Sequence, residues 1–438
     1  MSSGYGDGAS FAVAEESTFA SPDATNPNVI DPSGLTWLQC YPNGTSIGAL
    51  ANSMKQGVYK PQRVSASGGG AQRIEPEAGY TTAFHERLRG SFDVEMDLRF
   101  MGSAVLADTA LGVLLRSFLH HRTQTAGSTL TPATSNGAGG TFTVDHADIS
   151  KLVPGDVFAF YSGGRLHFRA VVDVNSGTDT ITFHPTSPEI DDAATLRLCH
   201  LFVPVSGAGA ASGPSFACRY EDRNRTIYAL GCRVSAVRIS FTGDDSRTPV
   251  LTFTIVAADG AIDSAPVAIA SPRHFGVTTS HAAKFLVASC VYSEDYTPAT
   301  PITPSDAQDL SMTEAPSIAI ESELTTDGGF GLTRAGQSDW SIKAATCMVT
   351  ARIKDSGSWE SMIYDEDHRS IIIPIPGPTA AGCGMAVVLP NAEPMDFPSI
   401  EVGDRITTIP VVFGGGEYAG DDGSAVQANT HFRLAFVA

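Results

Sequence analysis

The sequence predicts a mainly β fold, built from two related units with one small barrel inserted, and three observations carry that reading. First, a strand-then-helix pattern occurs twice. In residues 90–118, Phe92, Val94, Met96, Leu98 and Phe100 alternate with Asp93, Glu95, Asp97 and Arg99, and a helical stripe of Leu111, Leu114, Leu115 and Phe118 follows. In residues 346–367, Cys347, Val349, Ala351 and Ile353 alternate with Thr350, Arg352 and Lys354, and Trp359, Met362 and Ile363 make a shorter stripe. A change of apolar period from 2 to 3.6 marks a strand running into a helix. Second, residues 140–185 hold short alternating runs separated by turn residues, the pattern of a small barrel. Third, 43 glycines and 26 prolines in 438 residues call for many turns and long connections.

Residues 1–34 are rich in Gly, Ser, Asp and Pro, and read as an N-terminal arm that orders against a neighbour or frays. LTWLQCY (35–41) and KPQRVSAS (60–67) read as strands, and residues 68–83, broken by Pro76 and Gly79, as a loop. After the first strand and helix, residues 122–140 have linker composition. Gly163-Gly164 and Asn175–Asp179 are hairpin signals between the strands of the inserted segment, taken as 136–206. The first unit, 35–135, then resumes over 207–300. In TIYALGCRVSAVRISF the apolar phase slips between Val234 and Val237, which predicts a β-bulge near Ser235–Ala236. Leu251, Phe253 and Ile255 form the face of its hairpin partner, and the prolines of 260–305 suggest an extended crossover. The second unit, 301–438, follows the same order without an insertion: PSIAIES (316–322), the strand and helix of 346–367, CGMAVVLP (383–390), RITTIPVVF (405–413) and FRLAFVA. Cys383, Met385, Val387 and Leu389 are assigned to the inward face.

The net charge of −19 argues against a duplex-binding surface, which needs clustered Lys and Arg. The same charge suits either a wall past which nucleic acid slides without sticking or solubility alone. The longest apolar runs are too short to span a bilayer, and no secretory leader pattern opens the chain. The seven cysteines include no CxxC pair, and Cys232, Cys347 and Cys383 fall on inward strand positions, so buried thiols in a reducing cytoplasm are expected.

Catalytic and metal constellations are missing, and no enzyme activity, metal or cofactor is expected. There is no GxSxG. His85-Glu86 lacks the second histidine of HExxH. Asp244-Asp245 and Asp421-Asp422 lack EF-hand spacing and read as turn residues. His120-His121 reads as a pair of cations at a helix C-terminus. Gly4, Gly6 and Gly8 have no flanking strand and helix to make a phosphate loop. The run Asp365, Glu366, Asp367 reads as a solvated edge. The acids Asp93, Glu95 and Asp97 differ in kind: carboxylates at every second residue give a strand one charged face, which is either solvent surface or the wall of a water-filled channel.

At this point the sequence resembles a family, the tail tube proteins of long-tailed (siphovirus-like) bacteriophages and gene-transfer particles. The opening GYGDGASFAVAEESTFASP, the block RLRGSFDVEMDLRF leading into LGVLLRSFL, the hairpin ALGCRVSAVRISF…VLTFTIVAADG, and VPGDVFAF in the insert carry the resemblance. It covers most of the chain, with the second half more divergent. It implies tandem β-sandwich or half-barrel units, each with a flanking short helix, that close into rings and stack as a virion structural protein, a hollow tail tube for DNA passage during genome ejection. Two units per chain imply trimeric, pseudo-hexameric rings, with a hexamer as the alternative. Other implied partners are the tape measure, tail terminator and distal tail proteins, and genomic DNA passing without specific binding; no membrane is involved. Assembly in the host cytoplasm into a virion tail is implied. On this reading Asp93, Glu95, Asp97, Arg99, Arg352 and Lys354 are candidates to face the lumen, and Glu75, Glu77, Tyr80 and Phe19 to stack rings. The inserted barrel is expected to project outward. The alternative function is a carbohydrate-binding β-sandwich of a tail tip or fibre, for which three tryptophans offer thin support.

Overall fold

A computed structural model of the chain describes residues 10–16, 36–37, 44–45, 47, 90–101, 109–122, 129–136, 140–185, 190–192, 194–205, 212–221, 226–242, 248–263, 280–282, 291–293, 307–309, 312, 315–325, 341–354, 369–377, 383–395, 401–402, 407–421 and 425–437. The fold is mainly β: a large antiparallel sheet, a smaller half-barrel sheet and, among the described residues, one short α-helix. No described helix is long and apolar enough to cross a membrane.

The alternation around Phe92 forms the strand Gly90–Asp97, with Phe92, Val94 and Met96 buried and Asp93 and Glu95 exposed. It pairs with Thr248–Ala257, which pairs with the C-terminal half of the 17-residue strand Thr226–Thr242. The register of that second ladder shifts between Val234 and Ala236, where the sequence predicts the bulge. The N-terminal half of the same long strand leaves this ladder and pairs instead with Phe216–Glu221 on one side and Asp259–Asp263 on the other. Gly231, at φ 60, stands where the strand changes partners; L-residues with a Cβ are disfavoured there.

The same pairing order recurs in the second half. Ser341–Lys354 pairs with Thr407–Gly415, which pairs with the end of Gly384–Pro394; the beginning of that strand pairs with Arg369–Pro376 and Arg433–Val437. The halves join edge to edge where residues 236–239 pair with 318–321, on the strand Ser317–Thr325. Apolar faces from both halves enclose one continuous core that runs from Phe11 and Phe92 to Phe413 and Phe436.

The helix Ala110–Arg116 matches the Leu111, Leu114, Leu115 stripe. Thr109 caps its start by accepting from Gly112 N at 3.1 Å, worth about 1 kcal/mol. Its end is held by the long strand: Arg233 donates to Ser117 O at 2.6 Å, and Ser117 Oγ accepts from Val234 N.

Of the arm read over residues 1–34, Ser10–Glu15 is a strand of this same chain, paired with Phe216–Glu221. His120-His121 is corrected. The helix stops at Arg116, and His120–Arg122 is a strand paired with His200–Val203, because the backbone after Leu119 finds a ladder partner there.

The half-barrel sheet has the order Thr129–Leu130, Leu196–Leu198, Val157–Ser162, Arg165–Asn175, Thr180–His184, Thr141–Thr143, Thr134–Asn136. Its two border strands are consecutive in the chain, interrupted only by Thr131, Pro132 and Ala133. Gly163 and Gly164 turn its first hairpin at φ 57 and 76, and Asp179 turns the next at φ 52. Phe142, Phe158, Phe160 and Phe183 fill its interior. Its strands run from Thr129 to Leu198, while His200–Val203 belongs to the large sheet, between His120–Arg122 and Arg433–Val437.

This segment is seated on the second half of the chain rather than hung free on its linkers. Val157, Ala159, Leu166 and Phe168 on its outer face pack on Ile372, Ala386, Val388, Ala435 and Val437 of the second half. Strand Gly384–Pro394 is therefore apolar on both faces: Met385, Val387 and Leu389 reach the main core as expected, and Ala386 and Val388 meet the half-barrel.

Candidate functional site

Six strands side by side, from Gly90–Asp97 across the junction of the halves to Thr407–Gly415, turn one face to the core and one polar face away from it. The register places the residues of that face in rows. Glu95, Thr252, Arg238 and Ala319 succeed one another across four strands, and Asp93, Thr254, Ala236, Glu321 and Thr346 across five. Thr254 donates to Asp93 at 2.8 Å. Of the residues assigned to a lumen, Asp93, Glu95, Asp97 and Arg352 alternate with buried neighbours and so share this face. Lys354 is two residues beyond Arg352 in the same strand. Arg99 begins the separate strand Arg99–Met101, which pairs with Ser280–Ala282 in a two-stranded sheet of its own. The structure thus brings strands 90–97 and 346–354 into one sheet, with Arg238, Glu321 and Thr350 added to the face. The assigned ring-stacking residues Glu75, Glu77, Tyr80 and Phe19 lie outside the described residues, as do His85-Glu86, Asp244-Asp245, the acidic run at 365–367 and the stripe at Trp359.

Two motifs from distant parts of the sequence meet behind this face. Glu15 forms an ion pair with Arg116 at 2.6 Å at the helix end. Glu16 is buried; its Oε1 accepts from Gly231 N at 2.9 Å and its Oε2 from Ser215 Oγ at 2.6 Å. The carboxylate thereby satisfies a backbone donor at the point where the long strand changes partners.

A second buried polar group fixes the half-barrel. Asp156 is fully buried; it pairs with Arg122 at 2.9 Å, accepts from Val153 N at 2.9 Å and from Gln427 Nε2 at 3.2 Å. Gly155 next to it has φ +90, and a Cβ there would lie 2.5 Å from Gln427 O. Nearby, Asp421 and Arg433 form a fully buried ion pair; Tyr418 donates to Asp421 at 2.9 Å, and Arg433 lies over the Tyr418 ring. Asp421 stands in a bend between strands, as the turn reading has it, and is in addition a buried anchor for Arg433; Asp422 lies outside the described residues.

Two buried histidines have their protonated forms disfavoured. Burial, with nearby His200, Arg116 and His120 adding repulsion, pushes His121 down to about 4; it stacks on Phe202 at 4.6 Å. Burial and then the charge of Arg169 push His184 down to about 3. Arg169 itself is lowered to about 9 by burial and lies 5.1 Å over the Phe160 ring. These are packing roles. Among the described residues no group of three or more His, Cys, Asp or Glu could hold a metal ion.

Sequence reasoning missed Glu16, Asp156, Arg233 and Arg433 as structural anchors. The usable signal was a charged residue inside an otherwise apolar strand, as in GCRV and FRLAFV. The sequence matches no protein-family model, and no characterised protein is significantly similar to it.

Proposed function

We propose that this chain is a tube-forming structural protein of the tail tube type, in which rings of chains stack around a passage for DNA. The observation that carries the reading is the repeated ladder order of the two halves and their edge-to-edge junction at residues 236–239 and 318–321. When one half binds another by pairing strand edges, the same contact made between chains continues the sheet, and a sheet continued by rotation closes into a ring without free edges.

Each chain supplies two tandem units, so three chains complete a pseudo-sixfold ring. The polar face with Asp93, Glu95, Asp97 and Arg352 then lines the lumen, and its acids repel phosphate so that DNA slides. The half-barrel over 129–198 is a small inserted barrel, closed by the chain stretch that borders both its edges, and it braces the outer side of the wall.

Negative-stain microscopy of purified protein tests the proposal. Rings or tubes are expected, with native mass spectrometry giving three chains in the smallest ring. Monodisperse monomers that bind a glycan array would overturn it in favour of a host-surface binding protein.

A further inference from the structure

The sulfurs of Cys218 and Cys232 lie 3.8 Å apart, both fully buried, on the neighbouring strands Phe216–Glu221 and Thr226–Thr242. The ladder between these strands pairs Phe216 with Cys232 and Cys218 with Ala229, with a register shift between Phe216 and Cys218. That shift places Cys218 diagonally beside Cys232. Gly231, with its left-handed backbone, adjoins the pair, and the strand Ser10–Glu15, itself paired on its other side with Thr36–Trp37, flanks it through the pairing of Val13 with Cys218. A disulfide needs the sulfurs about 2 Å apart, so the bond requires the two sulfurs to close in from 3.8 Å.

We propose that Cys218 and Cys232 are a modification site: a dithiol that an exchange reagent of the glutathione-disulfide class converts to an intrachain disulfide, locking the bend of the long strand. Each cysteine gives up its thiol proton, the two sulfurs join, and the two electrons pass to the reagent's disulfide, which is cleaved and leaves as two thiols carrying the two protons. In a reducing compartment the pair stays as thiols; transfer to an oxidising medium drives the bond. The proposal stands on this local geometry and not on the tube reading.

Reactivity is set by access. Burial, reinforced by the neighbouring Cys218 sulfur and the Glu16 carboxylate, holds the Cys232 thiol well above its usual value, so in the closed fold this sulfur stays protonated and slow. Exchange therefore follows opening of the strand Ser10–Glu15, which the Glu16 clamp on Gly231 resists. Removing the clamp accelerates cross-linking rather than abolishing it.

The test treats the full, folded chain with oxidised glutathione at about pH 8, then alkylates under denaturing conditions and maps peptides by mass. Two of the seven thiols are expected to escape alkylation, in one cross-linked product joining Cys218 to Cys232. Cys218→Ala and Cys232→Ala are each expected to keep all their remaining thiols, and Glu16→Ala to cross-link several-fold faster. Seven alkylated thiols, glutathione adducts without the cross-link, or a Cys218→Ala protein that still loses two thiols would each overturn the proposal. The wild type alone gives a second readout: the oxidised chain is expected to melt higher than the reduced one, and equal melting would count against the lock.

Discussion

Glu16 Oε1 accepts a hydrogen bond of 2.9 Å from the backbone N–H of Gly231, although 215 residues separate them. The bond ties an N-terminal strand to the point where the longest strand passes from one ladder to another. Glu16→Ala leaves a buried N–H and the Ser215 hydroxyl without this acceptor, a loss of about 1–3 kcal/mol. Glu16→Gln keeps one carbonyl oxygen and is expected to lose less. Urea unfolding of the two variants beside wild type checks the order.

Gly155→Ala is expected to destabilise the seat of the half-barrel by about 2 kcal/mol or more, since it combines a left-handed φ with a clash against the Gln427 carbonyl. Limited proteolysis should cut the 129–198 segment faster in this variant, and Gly163→Ala, where nothing lies within 4 Å, should leave that contact intact.

Asp421→Ala strands the Arg433 guanidinium in a site with no exposure. Removing one partner of a buried ion pair typically costs about 3–5 kcal/mol. Replacing both, as Asp421→Leu with Arg433→Met, is expected to recover much of the loss in a double-mutant cycle of thermal melts.

His184 gives a pH dependence with a definite sign. Its folded value of about 3 lies below the ordinary 6.5, so the folded state holds it neutral while the unfolded chain takes up a proton. Stability is full above about pH 6.5 and falls as the pH drops toward 3, by up to about 1.4 kcal/mol per pH unit from this group. His121 acts in the same direction down to about 4. Unfolding free energies measured between pH 7 and 5 should show the slope, and His184→Leu should flatten it by one proton.

Glu95 is exposed on the polar sheet face, so Glu95→Lys should change folding stability by less than about 0.5 kcal/mol. If the face lines a passage, tubes of this variant retain short duplex DNA at low salt and release it as salt rises, whereas wild-type tubes retain none. Equal behaviour of the two in a pull-down would remove the face from the lumen.

Much of the fold was readable from local pattern. The period-2 run at Phe92, the phase slip before Ala236 and the glycines at 163–164 each specify a conformation by short-range sterics, and each is found in place. The seating of the half-barrel was not readable in the same way. Leu166 and Ala386 are far apart in the chain, and nothing local to either names the other. The run CGMAVVLP is apolar at Ala386 and Val388 too, a signal of burial on two faces that the inward assignment of Cys383, Met385, Val387 and Leu389 alone leaves unused. His120-His121 misled because a leucine-rich stripe leads up to it; the competing ladder with His200–Val203 lies 80 residues onward. The charged face was legible as a face, while its continuity across both halves required the junction of 236–239 with 318–321.

The pairing of Leu201 with Ala435 sets a schedule for synthesis. A ribosome adds about 5–20 residues per second, so roughly ten seconds to most of a minute pass between the emergence of the two partners. Through that interval Leu166, Phe168 and Leu201 lack the apolar partners that the second half brings, Ala386, Val388 and Ala435 among them. The seat of the half-barrel is therefore finished only as translation ends.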